Sequence, residues 1–129
     1  MPGEDWHYLP PTQPAGQEQM RVTRADGYAF ARLDWQICEE CRTGLVIAVR
    51  VTDKYQRCGY AGQMLRYALR GREDYTWTTT VQKPKGKKFF RRMSRSTGVQ
   101  FGDGSKPALC PHMRTVQGLP EVQQMPATD

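Results

Sequence analysis

The sequence predicts a single α/β domain, and three observations predict it. Residues 45–51 are an apolar, β-branched run that starts just after Gly44. Met64, Leu65, Ala68 and Leu69 recur at helical spacing beyond a glycine-bearing turn, and residues 75–81 form a second strand-like stretch ahead of Pro84. Strand, glycine turn, helix, strand and helix are the alternating order of an α/β core.

The chain's 129 residues suffice for one small domain. No apolar run approaches the roughly 20 residues of a membrane-spanning helix, and no basic start precedes an apolar stretch as in an export signal. These features argue against a secreted, membrane-embedded or multidomain protein and predict a cytoplasmic one. Residues 1–20 carry Glu4, Asp5 and Glu18 but no Lys or Arg, and Pro2, Pro10, Pro11 and Pro14 interrupt them. They are expected to be a disordered leader, with the domain over 21–116 and a disordered tail over 117–129, where Pro120 and Pro126 lie.

Within the domain, residues 28–37 read as a strand from Tyr28, Phe30, Leu33, Trp35 and Ile37. Residues 45–51 are apolar enough to be buried on both faces. Residues 56–62 form the turn, and the amphipathic helix after it ends at Gly71. Pro84 opens a second helix with Phe89, Phe90 and Met93 as its apolar stripe, and Gly98 closes it. Trp35 and Trp77 read as core residues, and His7 stands alone in the leader.

The junction after residue 51 carries the chemistry. A strand stopping before a glycine-bearing turn leaves backbone N–H groups pointing outward, and the next helix adds its positive dipole end. Such a junction binds a pyrophosphate without charged side chains. Gly59 permits close approach, and Ala61 is small for the same reason. Neither the three-glycine dinucleotide fingerprint nor a P-loop is present. Lys83, Lys85, Lys87, Lys88, Arg91, Arg92 and Arg95 form a dense basic stretch, suited to a nucleotide or to nucleic acid, or else a solvated helix face.

Residues 51–61 resemble the acyl-CoA signature of the GCN5-related N-acetyltransferase family: Arg or Gln, two residues, Gly, one residue, then Gly or Ala, directly after the central strand. Gln56, Gly59 and Ala61 fill it, and Tyr55 stands where the family often has an aromatic residue. Residues 64–69 and 75–81 resemble the following helix and the strand that splays to admit the pantetheine arm, so the likeness covers roughly 44–101. It implies a mixed sheet flanked by helices and transfer of an acetyl group from acetyl-CoA to an amine. Backbone groups of Val49 and Val51 would pair with the pantetheine amides, and the amides of Arg57, Cys58, Gly59, Tyr60, Ala61 and Gly62 would hold the pyrophosphate.

The chain departs from the family twice. Only 43 residues precede Gly44, where members usually have a strand, two helices and further strands, so the fold is shortened on the acceptor side and a second copy could complete the pocket. Many members also carry a tyrosine that protonates the departing thiolate. The matching pair here is Phe89-Phe90, which cannot donate a proton. Glu39 and Glu40 are the carboxylates weighed as a base, against a reading as solvated loop residues.

Cysteines add a feature the family does not imply. Cys38 and Cys41 form a C-x-x-C knuckle, and Cys110 and His112 a second pair, a donor set that fits a closed, structural zinc site. A disulfide, a redox dithiol and four unrelated residues are the other readings. Cys58, in the turn, reads as a variable motif position, with a reactive thiol as the minor reading. Two functions follow: an N-acetyltransferase stapled by zinc, or a non-catalytic zinc-stabilised module binding nucleic acid, protein or CoA.

Overall fold

The structure is a computed structural model and describes residues 4–80, 83–102 and 110–117. Strands β1 (Asp5–Leu9), β2 (Gln17–Thr23), β3 (Ala29–Cys38) and β4 (Thr43–Val51) follow one another as an antiparallel meander. Helix α1 (Tyr60–Leu69) then crosses to β5 (Thr76–Thr79), which pairs parallel with β4, and α2 (Pro84–Thr97) and α3 (Pro111–Gln117) come after it. The result is the expected α/β class, a mixed sheet of order β1-β2-β3-β4-β5 flanked by helices.

The leader expectation is corrected. Residues 5–9 and 17–23 are strands, because Met20 and Val22 alternate inward to the core while Tyr8 stacks on Trp35 at 6.2 Å between ring centroids. Pro10, Pro11 and Pro14 sit in the connection between these strands, where a missing N–H removes no ladder bond. The domain therefore begins before residue 21. Of the expected tail over 117–129, Gln117 is the last residue of α3, and 118–129 lie outside the described residues.

One face of the sheet carries the main core: Leu33, Trp35 and Val46 pack with Met64, Leu65, Ala68 and Leu69 of α1 and with Phe90 and Met93 of α2. Leu45 neighbours Val46 on β4 and so points the other way. There it joins Ala15, Cys38 and the fully buried Met113 of α3, which places α3 on the opposite face. Gly44 is required by packing: a Cβ there would lie 2.6 Å from the Trp77 ring.

Candidate active site and metal centre

β4 and β5 separate. Their parallel register ends at Val46↔Thr79. Beyond it, Thr80 donates its N–H to the Val46 carbonyl at 3.0 Å and its hydroxyl to the Ile47 carbonyl at 2.7 Å. β4 is bulged here, since Trp35 pairs with Val46 and Asp34 with Ala48, leaving Ile47 as the extra residue. The bulge reverses the edge toward which each backbone group points. Val46 turns its carbonyl to β5, whereas Thr52, of the same parity, donates its N–H to Phe30 on β3 at 2.9 Å. By alternation, Ala48 and Arg50 face β3, and Val49 and Val51 face the edge that β5 has left. Gln56 Nε2 donates to the Val51 carbonyl at 3.0 Å, which leaves that residue's N–H toward the gap.

The exit from β4 is a tight turn. A short 3-10 turn over Asp53–Tyr55 leads to Arg57 (φ 64°) and Gly59 (φ 89°), both left-handed, with Gly59 capping α1. The first helical bond runs from the Gln63 N–H to the Gly59 carbonyl at 3.0 Å, and no side chain caps this end. The amides of Tyr60, Ala61 and Gly62 therefore have no partner within the helix. A Cβ on Gly62 would meet Arg66 Nη1 at 3.3 Å and Met93 Sδ of α2 at 3.5 Å, so α1 and α2 come within van der Waals reach here.

Gap and turn open into one cleft of about 1130 Å³. Val49, Val51, Gln56, Arg57, Gly59, Tyr60, Ala61 and Gly62 all line it, so of the residues the sequence assigns to the acyl-CoA site only Cys58 is not in its lining. The Cys58 thiol instead lies 3.6 Å from the Gln56 carbonyl, on the exposed side of the turn. Arg32, Arg50, Arg57, Arg66, Lys85, Lys88 and Arg92 surround the cleft, and Asp53 is the acidic residue among its described lining. Lys85, Lys88 and Arg92 recur at i, i+3 and i+7, one face of α2, a spacing legible in the basic stretch. Arg66 comes from α1, one turn beyond Gly62, whereas Arg32 and Arg50 depend on the β3–β4 register.

Phe89 lines the cleft and Phe90 is buried, so the tyrosine position holds no donor. Tyr55 and Tyr60 also line the cleft, and both are engaged by neighbours, as is Tyr67. Tyr55 stacks on Phe30 at 4.0 Å, and Tyr67 packs beside Tyr8. Tyr60 donates its hydroxyl to Glu4 at 2.6 Å, and that bond, with burial, pushes its pKa up to about 12. Glu39 and Glu40 lie outside the cleft. Glu39 accepts from Arg72 and Tyr75, which hold its carboxyl below the usual range, and Glu40 lies 3.6 Å from His112 Nε2.

Cys38, Cys41, Cys110 and His112 converge, with their donor atoms all within 4.8 Å of one another, a cluster able to hold a metal ion. Nδ1 of His112 lies 3.5 Å from the Cys38 and Cys41 sulfurs and 4.0 Å from that of Cys110. The four residues join the end of β3, the β3–β4 turn and the first turn of α3. Arg42 follows the knuckle with a left-handed φ of 54°. Burial and the neighbouring thiols push the Cys41 thiol up to about 11. The Met113 backbone and His112 draw Cys110 down to about 6 against its burial.

Among the described residues no helix is long and apolar enough to cross a membrane. No protein-family profile matches the chain, and no curated protein sequence does. Its fold is similar to the crystal structure of a "putative acetyltransferase" from Deinococcus radiodurans R1, with a TM-score of 0.58. That match has 12% identity and covers 92% of this chain and 95% of the other.

Proposed function

We propose that this chain is an N-acetyltransferase that moves the acetyl group of acetyl-CoA to an amine. The observation that carries the reading is the coincidence, in one cleft, of a strand edge at Val49 and Val51 that no described strand pairs with and the start of α1, which no side chain caps among the described residues. The first suits the amides of a pantetheine arm and the second its pyrophosphate. Arg57, Arg66, Lys85, Lys88 and Arg92 supply the positive field that three phosphoryl groups require. Holding the thioester on a fixed edge lets a bound amine attack at high effective concentration, which compensates for the absence of a tyrosine acid at Phe89.

The Cys38, Cys41, Cys110 and His112 cluster is read as a structural zinc site. Ordinary Zn–S and Zn–N bonds at a tetrahedral angle put sulfur and nitrogen about 3.6 Å apart, and the two closest separations here are 3.5 Å. Three thiolates and an imidazole fill four positions and leave none open to substrate. Glu40 beside Nε2 supplies the second-shell carboxylate such a histidine usually has.

Nucleic-acid binding is the second reading, and the exposed row Lys87, Arg91 and Arg95 on α2 favours it, because these residues do not line the cleft. Calorimetric titration with acetyl-CoA decides. Saturable binding that Gly59→Trp abolishes is expected. No heat at millimolar acetyl-CoA, together with salt-dependent binding of an oligonucleotide, overturns the transferase reading in favour of the second.

A further inference from the structure

We propose that the acceptor is an anionic amine, whose carboxylate or phosphate group is held by Arg50, backed by Arg32, on the sheet face opposite α1. This rests on the transferase reading and names the class of substrate. The cleft is lined by consecutive residues of two strands, 29–32 on β3 and 49–52 at the end of β4. Side chains alternate between faces along a strand, so the cleft passes round this end of the sheet and reaches both faces. Val49 and Val51 pack on the core under α1, as do Leu33 and Ala31, their partners in register. Arg50 and Arg32, paired with each other, therefore point the other way.

The row continues onto β2, where Arg21 pairs with Arg32, so three arginines stand side by side across three adjacent strands. Like charges directly opposite one another are unfavourable on a sheet. Asp34 is the carboxylate that faces all three, and it leaves this face with a surplus of positive charge. Arg21 donates to Gln19 Oε1, and Arg32 lies largely buried 3.2 Å from Asp34 Oδ2, whereas Arg50 is exposed and lines the cleft. The phosphates of CoA have cations of their own. Arg57, Arg66, Lys85, Lys88 and Arg92 line the cleft from the turn, α1 and α2, beside the start of α1. Those five match the about four negative charges of CoA, and Arg50 and Arg32, on the other face, are additional to them. The second ligand of the cleft is the acceptor, and the additional charge selects a negative one. Successive residues on a strand are about 3.4 Å apart, so an anion on Arg50 brings an amine on a short aliphatic chain to the edge at Val49.

The transfer that such an acceptor undergoes balances without a further reactant. The ammonium form loses one proton to water before it reacts. The lone pair of the neutral amine forms the C–N bond, and the C–S bond breaks with its electron pair on sulfur. The surplus proton on nitrogen ends on that sulfur, giving the amide and the CoA thiol.

Two pairs of probe amines test this with acetyl-CoA as donor and free thiol release as the readout. β-Alanine is set against β-alaninamide, and phosphoethanolamine against ethanolamine; the second of each pair lacks the negative charge. The wild type should prefer the anionic amine of at least one pair about 10-fold or more in kcat/KM, mainly through KM, and the pair that shows it separates carboxylate from phosphate. Arg50→Gln should reduce that preference about tenfold and Arg50→Glu should invert it, with acetyl-CoA affinity by calorimetry kept within about threefold. Equal kcat/KM within both pairs, turnover of no probe by a protein that binds acetyl-CoA, or a preference that Arg50→Gln leaves intact overturns the assignment and leaves the cofactor reading standing. Loss of acetyl-CoA affinity in Arg50→Gln with the preference intact gives the arginine to the cofactor and likewise overturns it. A wild type that does not bind acetyl-CoA overturns both. The wild-type comparison needs no variant, so it decides even where an Arg50 variant does not fold.

Discussion

Gly44→Ala tests the packing that fixes where the strands begin to part. Gly44 is buried on β4, paired with Trp77 of β5, and an added Cβ would fall 2.6 Å from two atoms of the indole ring and 2.7 Å from a third. Real carbon contacts do not reach that distance, and the ring cannot swing away freely. It is 2% exposed, and its Nε1–H is held by the Arg72 carbonyl at 3.0 Å. One methyl forced into such a site costs about 1–3 kcal/mol, a fall in melting temperature of roughly 4–12 °C for a domain this size. Urea unfolding of four proteins reads the effect: wild type, Gly44→Ala, Trp77→Leu and the double variant. Trp77→Leu is destabilising alone, but in that background Gly44→Ala should add almost nothing, because the clash is with the ring. An unchanged midpoint for Gly44→Ala, or the same cost in both backgrounds, would refute the reasoning.

Native mass spectrometry should find one zinc per chain, and a strong chelator should remove it and lower the melting temperature. A metal-free protein with all thiols reduced and the same melting temperature sinks the zinc reading. Glu40→Gln should weaken zinc about 10-fold or more by releasing His112 Nε2, as read by chelator competition. Arg92→Gln should weaken acetyl-CoA binding by about three- to tenfold and flatten its salt dependence, since the residue lines the cleft from α2; calorimetry at two ionic strengths checks this. Glu4 is held below the usual carboxylate range by its bonds from Tyr60 and Trp6. Its contribution is therefore present above the ordinary glutamate pKa and lost as pH falls through the lowered value. Trp6 fluorescence should report that loss on acidification, and Tyr60→Phe should move the transition toward the ordinary range.

The residues that read correctly in sequence were those whose local chemistry decides their conformation. The run after Gly44, the helical spacing of Met64, Leu65, Ala68 and Leu69, and the Gly98 stop each act within a few residues, and the structure follows them. The metal quartet was legible for the same reason, since C-x-x-C is a local turn and Cys110 with His112 is another. β1 and β2 were not, because Gln19, only 2% exposed, is a strand residue made tolerable by Asp34 and Arg21, partners that only the register supplies. The Ile47 bulge has no sequence signature either. It is a relation between two strands, and it decides which backbone edge of Val49 and Val51 meets the cleft. Glu39 and Glu40, open in the sequence between a base and solvated loop residues, are tied by folding to Arg72, Tyr75 and His112 at the knuckle.

Ile47 links the two halves of the molecule. Its side chain packs against the cluster of Leu45, Cys38 and the fully buried Met113, while its carbonyl accepts the Thr80 hydroxyl where β5 departs. Met113 is one residue beyond His112, so an ion joining His112 to Cys38 and Cys41 would also seat α3 on the back of the bulge. Among the described residues no helix precedes Asp53, and the meander of four strands has nothing from the N-terminal side to brace β4 there. A seven-residue helix is too short to hold its own position by propensity. On the zinc reading, anchoring α3 through a tetrahedral ion would give the domain a rigid support behind the bulge at Ile47. On the zinc and transferase readings together, such an ion would touch no substrate and would still hold the edge at Val49 in a fixed geometry, the property an oriented thioester requires.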